Sequence, residues 1–270
     1  MVKAPTVEDI PNHFYKYRSL DKASKAYTLD ILLNNRLYWP SPLSFNDPFD
    51  CMPCYVNEGS RLKREASFRR LINEKLSHLP KSERKSFLAQ SLRVSPQDFQ
   101  TLMHDGQRHT MSETGVCCLS TNPDNILMWT HYADAHKGLC LRFTPISKSG
   151  KDFDSRLAHF EFAYPVKYSK NRPVINVLEK YGDDHLELAL LTKADFWAYE
   201  AEWRMIGYRE GPGLYEFPAI CLDAIIFGAR TSSDDHQEIL ALAKSRQYPV
   251  KIYKTEFDAS QFRMHIIELE

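Results

Sequence analysis

Two glutamates one residue apart, Glu200 and Glu202, stand at the front of a run, Trp203-Arg204-Met205-Ile206-Gly207-Tyr208, that reads as a β-strand. Side chains alternate faces along a strand, so residues i and i+2 share a side, and both carboxylates are expected to look into the same space. Neighbouring acids repel, which raises the pKa of one of them unless cations compensate. Such a pair is costly to keep near a core unless it binds or reacts with something. The simpler reading is a solvated strand end whose acids pair with Arg204 or Lys193.

Four further groups of residues carry chemical potential. Lys16 and Arg18 share one face of a short N-terminal strand, with Tyr15 and Tyr17 on the other. A pair of cations so placed can hold a phosphate or pyrophosphate, or can be the solvated charges of an edge strand. Asn46 and Asp47, in Ser41-Pro42-Leu43-Ser44-Phe45-Asn46-Asp47-Pro48-Phe49, either bond local backbone amides or face a ligand's hydroxyls. Ser120 and Thr121 end a buried-looking strand and offer hydroxyls to a ligand, or else cap the next helix. Trp129, Tyr132 and His136 lie on one helical stretch and can line an aromatic pocket for a planar ligand, or simply fill a core. His131 and His136 are five apart, a poor chelating spacing, and Cys51-Met52-Pro53-Cys54 lacks a second ligand pair, so no metal is expected.

The elements that must position these residues are short and mixed. Strands are expected at 13–18, 37–39, 115–120, 139–143, 160–164, 166–168, 202–208, 224–227, 250–253 and about 262–267. Helices are expected after Ser19 or Asp21 with Tyr27, Ile31 and Leu32 buried, from Asp124 or Asn122 to about His136 with Gly138 as its stop, from Asp183 to Tyr199, and from Asp234 to about Ser245. Residues 58–108 are charged and helical and read as an insertion whose basic residues form a solvated face. Strands and helices do not alternate strictly, so the expected class is α+β. One domain spans 1–270, built on a single mixed or antiparallel sheet.

The 270 residues are 43% hydrophobic and 26% charged, with 35 Lys and Arg balancing 35 Asp and Glu. That balance argues against a broad electrostatic footprint for nucleic acid, though not against a local patch. No secretory leader is visible at Met1–Asp9 and no apolar run is long enough to span a bilayer, so a cytoplasmic, membrane-free protein with six free thiols is expected. Neither a glycine-rich phosphate loop nor a nucleophile elbow nor a zinc-peptidase motif occurs.

The order Tyr15-Lys16-Tyr17-Arg18, Phe45-Asn46-Asp47-Pro48-Phe49, Met128-Trp129-Thr130-His131-Tyr132-Ala133 with Lys137-Gly138, Trp197, Glu200-Ala201-Glu202-Trp203-Arg204 and Ile225-Ile226-Phe227-Gly228 resembles a widespread bacterial family of unknown function. The resemblance spans about residues 13–230, and members of that family are frequently found near phage-defence genes. A more distant pattern, a basic residue on an early strand, Ser-Thr ending a middle strand and E-x-E opening a later one, is similar to mono-ADP-ribosyltransferases. That likeness implies NAD as substrate. Arg18 or Lys16 would hold the NAD phosphate or ribose, and Ser120 or Thr121 would brace the nicotinamide. Glu202 would stabilise an oxocarbenium-like transition state and Glu200 would orient a protein or nucleic-acid acceptor. Tyr17, Asn46, Asp47, Trp129, His131 and Tyr132 are the further binding candidates. A defence or toxin effector, alone or under a regulatory partner protein, is the implied setting. The rivals are a metal-dependent nuclease or hydrolase using Asp47, His131, Glu200 and Glu202, and a non-catalytic sensor of a nucleotide or phage protein.

Overall fold

Alternation along the strands divides the apolar residues between two faces of one large sheet. In β5 (Leu139–Phe143), Leu139, Leu141 and Phe143 face one core while Cys140 faces the other; in β12 (Leu222–Phe227), Ile225 and Phe227 part from Ile226 in the same way. The computed structural model describes residues 6, 8–146, 160–179, 183–208 and 210–269. Most of the N-terminal stretch read for a leader lies outside them.

The remaining strands of this sheet are β1 (Phe14–Arg18), β4 (Thr114–Ser120), β6 (Tyr164–Pro165), β10 (Glu202–Tyr208), β13 (Lys251–Phe257) and β14 (Met264–Glu268). They lie in the order β14-β13-β12-β5-β1-β4-β10-β6. Neighbours are antiparallel except β12 and β13, which run parallel and are joined through helix α7 (Ser233–Ser245). The fold is therefore α+β with a mixed sheet, as expected. Helix α1 (Lys25–Asn34) and α7 cover one face; α5 (Ile126–Tyr132) covers the other through Met128 and Trp129. Smaller pairs complete the chain: β2 (Arg36–Trp39) with β11 (Gly213–Glu216), β3 (Cys54–Val56) with β8 (Val174–Asn176), and β7 (Lys167–Ser169) with β9 (Thr192–Ala194).

The charged stretch folds as three helices, α2 (Arg61–Lys75), α3 (Lys81–Ser91) and α4 (Pro96–Ser112). It is anchored to the body through α4, whose Phe99 packs with Tyr55 and Ile175 and whose Met111 packs with Cys51, Val116 and Leu190, and by hydrogen bonds from α2 and α4. Ser67 Oγ donates to Leu178 O at 2.7 Å, and Gln107 Nε2 donates to Cys51 O at 2.9 Å.

Several expected boundaries move. Helix α1 begins one residue after Ser24, because Asp21 Oδ1 accepts from the amides of Ala23 and Ser24 and makes a turn there instead of a helix start. Its buried side is Thr28, Ile31 and Leu32, and Tyr27 is exposed. Helix α5 is capped by Asn125 and stops at Tyr132, short of His136. Asp134, Ala135 and His136 all have left-handed φ values (48°, 50° and 72°), which no right-handed helix accommodates. Gly138 is needed for a different reason than a helix stop: a Cβ there would lie 2.1 Å from Arg18 O. Phe160–Phe162 is a 3-10 turn, not a strand. The long helix expected to Tyr199 ends at Leu191 as α6 (Asp183–Leu191), followed by β9 and a 3-10 segment, Asp195–Glu200.

Candidate functional site

Glu200 is not on the strand. It closes the 3-10 segment, and Ala201 (φ 45°, ψ 51°) turns the chain through the left-handed region before β10 opens at Glu202. The two carboxylates converge through this turn, not through strand alternation. The hydroxyl of Ser120 fixes the turn by donating to Glu200 O at 2.6 Å, and Thr121 N donates to Ala201 O at 3.1 Å. The two hydroxyl-bearing residues expected to face a ligand thus hold the acidic turn in place.

The acids are buried, contrary to the solvated-end reading, although Arg204 and Lys193 are indeed their partners. Lys193 Nζ binds Glu200 Oε2 in a very short contact, reaches Glu202 Oε2 at 3.0 Å and lies 3.7 Å from Asp50 Oδ2. Arg204, with no solvent exposure, donates from Nε to Glu202 Oε1 at 2.8 Å. From Nη1 and Nη2 it donates to Asp50 Oδ1 and Oδ2 at 2.9 and 2.6 Å. This fork-to-carboxylate geometry is the strong form of the interaction. Cys51, also left-handed at φ 56°, turns the chain just after Asp50. Three carboxylates against two cations leave one negative charge in excess, and Tyr132 Oη donates to Glu200 Oε1 at 2.6 Å.

This environment separates the two glutamates. Burial pushes Glu200 above the ordinary carboxyl value, with Lys193 and Tyr132 only partly opposing it. Burial is also the largest influence on Glu202, but Arg204 and Lys193 together outweigh it and hold its carboxyl down at about 2. Environments that drive two neighbouring carboxyls apart suit one to exchange protons and the other to stay charged.

A cavity of about 380 Å³ opens onto this cluster, walled by Tyr15, Tyr17, Phe45, Met128 and Tyr132, with Lys16, Asn46 and His131 at polar positions. The register explains the assembly: Tyr15 pairs with Ser120 across β1 and β4, and Ser120 pairs with Glu202 across β4 and β10. Lys16 Nζ donates to Cys118 O at 2.7 Å, and Asn46 Nδ2 donates to Tyr132 Oη at 3.2 Å. Tyr17 Oη is spent on Asn122 O at 2.7 Å, leaving its ring as wall.

Other candidates lie elsewhere. Arg18 leaves the cavity and donates from Nε to Thr28 Oγ1 of α1 at 3.3 Å, so Lys16 is the basic residue of β1 at the cavity. Asp47 makes a local turn, accepting from Phe49 N at 2.8 Å, and does not line the cavity. Trp129 is fully buried behind it, edge-on to Tyr17, and His136 packs against Phe257; the aromatic wall expected from Trp129 and His136 is made instead by Tyr15, Tyr17 and Phe45. No local pattern in the sequence marks Asp50. Its signal was indirect: Arg204 sits within an apolar strand, where a charge needs a buried partner. Among the described residues, no group of three His, Cys, Asp or Glu side chains is arranged to hold a metal ion. No helix among them is long and apolar enough to cross a membrane.

No curated protein and no solved structure matches the chain. The stretch from α5 to β10, which carries Tyr132, Lys193, Glu200, Glu202 and Arg204, is where the chain does find a counterpart: residues 128–205 match the model of a family described as a protein of unknown function, DUF2971.

Proposed function

We propose that the cavity binds NAD and breaks its N-glycosidic bond, passing ADP-ribose to water or to an acceptor. The observation that carries this reading is the pair Glu200 and Glu202, driven apart in pKa and facing one aromatic cavity. In the reaction the bond from ribose C1′ to the nicotinamide nitrogen breaks, and its electron pair leaves with nicotinamide. An oxygen of water or acceptor bonds to C1′, and its proton passes to Glu200. A carboxyl with a raised pKa suits that role, since a base works best with a pKa near the working pH. The excess negative charge of the cluster favours the positive charge that develops on the ribose. Glu202, locked by Arg204 and Lys193, supplies part of that field and positions Lys193; it is Glu200 that Tyr132 ties to the aromatic wall. Lys16, on the wall beside Cys118, is placed to meet a phosphate. The adjacency of β1, β4 and β10 supports the likeness to mono-ADP-ribosyltransferases. An effector that consumes NAD in phage defence or as a toxin is the setting we propose.

A second reading, a nucleotide sensor without turnover, is favoured by the saturation of Glu202, both of whose oxygens are taken by cations. Incubation of the protein with labelled NAD, with and without cell lysate, separates the two. Nicotinamide release or label transfer that drops at least roughly 10²-fold in Glu200→Gln, with folding intact, supports catalysis. Binding of NAD by calorimetry without turnover supports the sensor. Neither binding nor turnover overturns both.

A further inference from the structure

The chain as a whole carries equal numbers of basic and acidic residues, yet residues 61–93 hold ten Lys and Arg against three Glu, a net charge of +7 on one helical hairpin. The sequence alone reads this as a solvated face. Three features of the structure point further. First, the charges are mostly uncommitted. Arg69 pairs with Glu65 and Lys63 lies near Glu179, whereas Arg61, Arg64, Lys75, Lys81, Lys85 and Arg93 make no ion pair among the described residues. Second, the charges converge. Helices α2 and α3 pack side by side, and the groove at one end, about 440 Å³, is lined by Arg61, Arg64 and Arg93. The groove at the other end, about 310 Å³, is lined by Arg69, Lys81, Arg84 and Lys85. Arg61 and Arg69 are eight residues apart on α2, or about 12 Å along the axis. Two cationic grooves at that spacing match phosphates facing each other across a groove of a double helix, about 12 Å wide in the major groove of B-DNA. Third, the hairpin lacks the apolar face with which an interfacial helix inserts into a membrane. Interfacial helices bury a continuous apolar face, and within α2 and α3 only Leu62 and Phe87 are exposed large hydrophobic residues.

We propose that the α2–α3 hairpin is a docking surface for the phosphodiester backbone of a nucleic-acid duplex. Arginine predominates on it, and a guanidinium meets a phosphate with two parallel hydrogen bonds where an ammonium acts as a point charge. The contacts reach phosphates and no base edges, so binding is indifferent to sequence and strongly dependent on salt. The surface is separate from the acidic cavity, and the inference stands whether or not the cavity consumes NAD. One link between the two runs through α4, where Gln107 bonds the backbone of Cys51 beside Asp50.

The test is fluorescence anisotropy of the full chain with short mixed-sequence DNA and RNA duplexes over a salt series, with sedimentation of anionic phosphatidylserine vesicles alongside. The combined variant Arg61→Gln, Lys81→Gln, Lys85→Gln, Arg93→Gln alters exposed side chains only. Lys251→Gln with Lys254→Gln, on β13, is the control for loss of charge elsewhere, and circular dichroism monitors folding. Each phosphate contact steepens the plot of log affinity against log salt by about 0.9, so the fourfold variant should flatten it by roughly 3 to 4. Between about 50 and 200 mM salt, those four contacts correspond to roughly a 10²-fold change in affinity. Binding of either duplex that weakens in this way, with the control unchanged, supports the proposal and shows which nucleic acid is preferred. Absence of duplex binding, binding equal in the fourfold variant and the native chain, or binding of vesicles alone overturns it.

Discussion

Replacing Arg204 with Met tests the account of the buried cluster most directly. Arg204 is fully buried and satisfies Glu202, Asp50 and the carbonyl of Leu190, the last at 2.7 Å. Its removal leaves three buried carboxylates, Asp50, Glu200 and Glu202, sharing Lys193 as their one remaining cation, and losing one partner of a buried pair costs about 3–5 kcal/mol. An independent route gives a similar magnitude. The difference between the ordinary 4.5 of Glu202 and about 2 corresponds to about 3 kcal/mol of stability at neutral pH. The pH dependence is the sharper part of the prediction. In the native chain the folded value of Glu202 lies below the unfolded one. Its contribution is therefore complete above about 4.5 and fades as pH falls toward about 2. In Arg204→Met burial prevails, the folded value rises above the unfolded one, and stability falls as pH climbs through about 4.5. Urea unfolding at several pH values should thus show a deficit of about 3–5 kcal/mol at pH 7 that narrows toward pH 4. A variant within about 1 kcal/mol of the native chain at pH 7, or a deficit that is flat with pH, would refute the reasoning.

Two further predictions concern the turn and its tyrosine. Ala201→Gly removes a left-handed strain of about 1–2 kcal/mol at an added backbone-entropy cost of about 0.5–1, so urea unfolding should show equal or slightly greater stability, whereas Ala201→Val should lose stability clearly; the reverse order would mean that the turn is not strained. Tyr132→Phe deletes the hydroxyl that bonds Glu200 Oε1, and because that bond favours the charged carboxylate, the Glu200 pKa should rise further. Carbon-detected NMR titration of the Glu200 carboxyl reads this without any substrate, and an unchanged or lowered value would sink the assignment.

The α+β class followed from elements mixing without strict alternation, and the strand at 202–208 was legible to the residue because Trp203, Ile206 and Tyr208 favour extended backbone even though Glu202 and Arg204 interrupt the apolar run. The helix expected as far as His136 was misjudged because sequence periodicity does not register backbone sign. Asp134, Ala135 and His136 are all compatible with a helix by residue type, and only packing forces them left-handed, with Gly138 against Arg18 O and Gly228 against His136 O. Similarly, Glu200 and Glu202 were rightly expected to share a space, but for a reason that did not hold, since a left-handed alanine rather than a pleat brings them together.

What the sequence by itself determined was the local chemistry: which residues are acids, bases and aromatics, where the strands of the large sheet other than β6 run, and that two carboxylates meet where the strand at Glu202 begins. What tertiary structure decided was partnership. Asp50 and Arg204 are 154 residues apart along the chain and 2.6 Å apart at their closest atoms in space. No local pattern encodes that distance, because ion pairing depends on burial and burial depends on the whole sheet. The same holds for Arg18 and Lys16, two residues apart on one strand. Lys16 ends beside the cavity on Cys118 O of β4 and Arg18 ends on Thr28 of α1; the two share one face of β1, so the neighbours packed along that face, and not strand alternation, decide which cation meets the cavity.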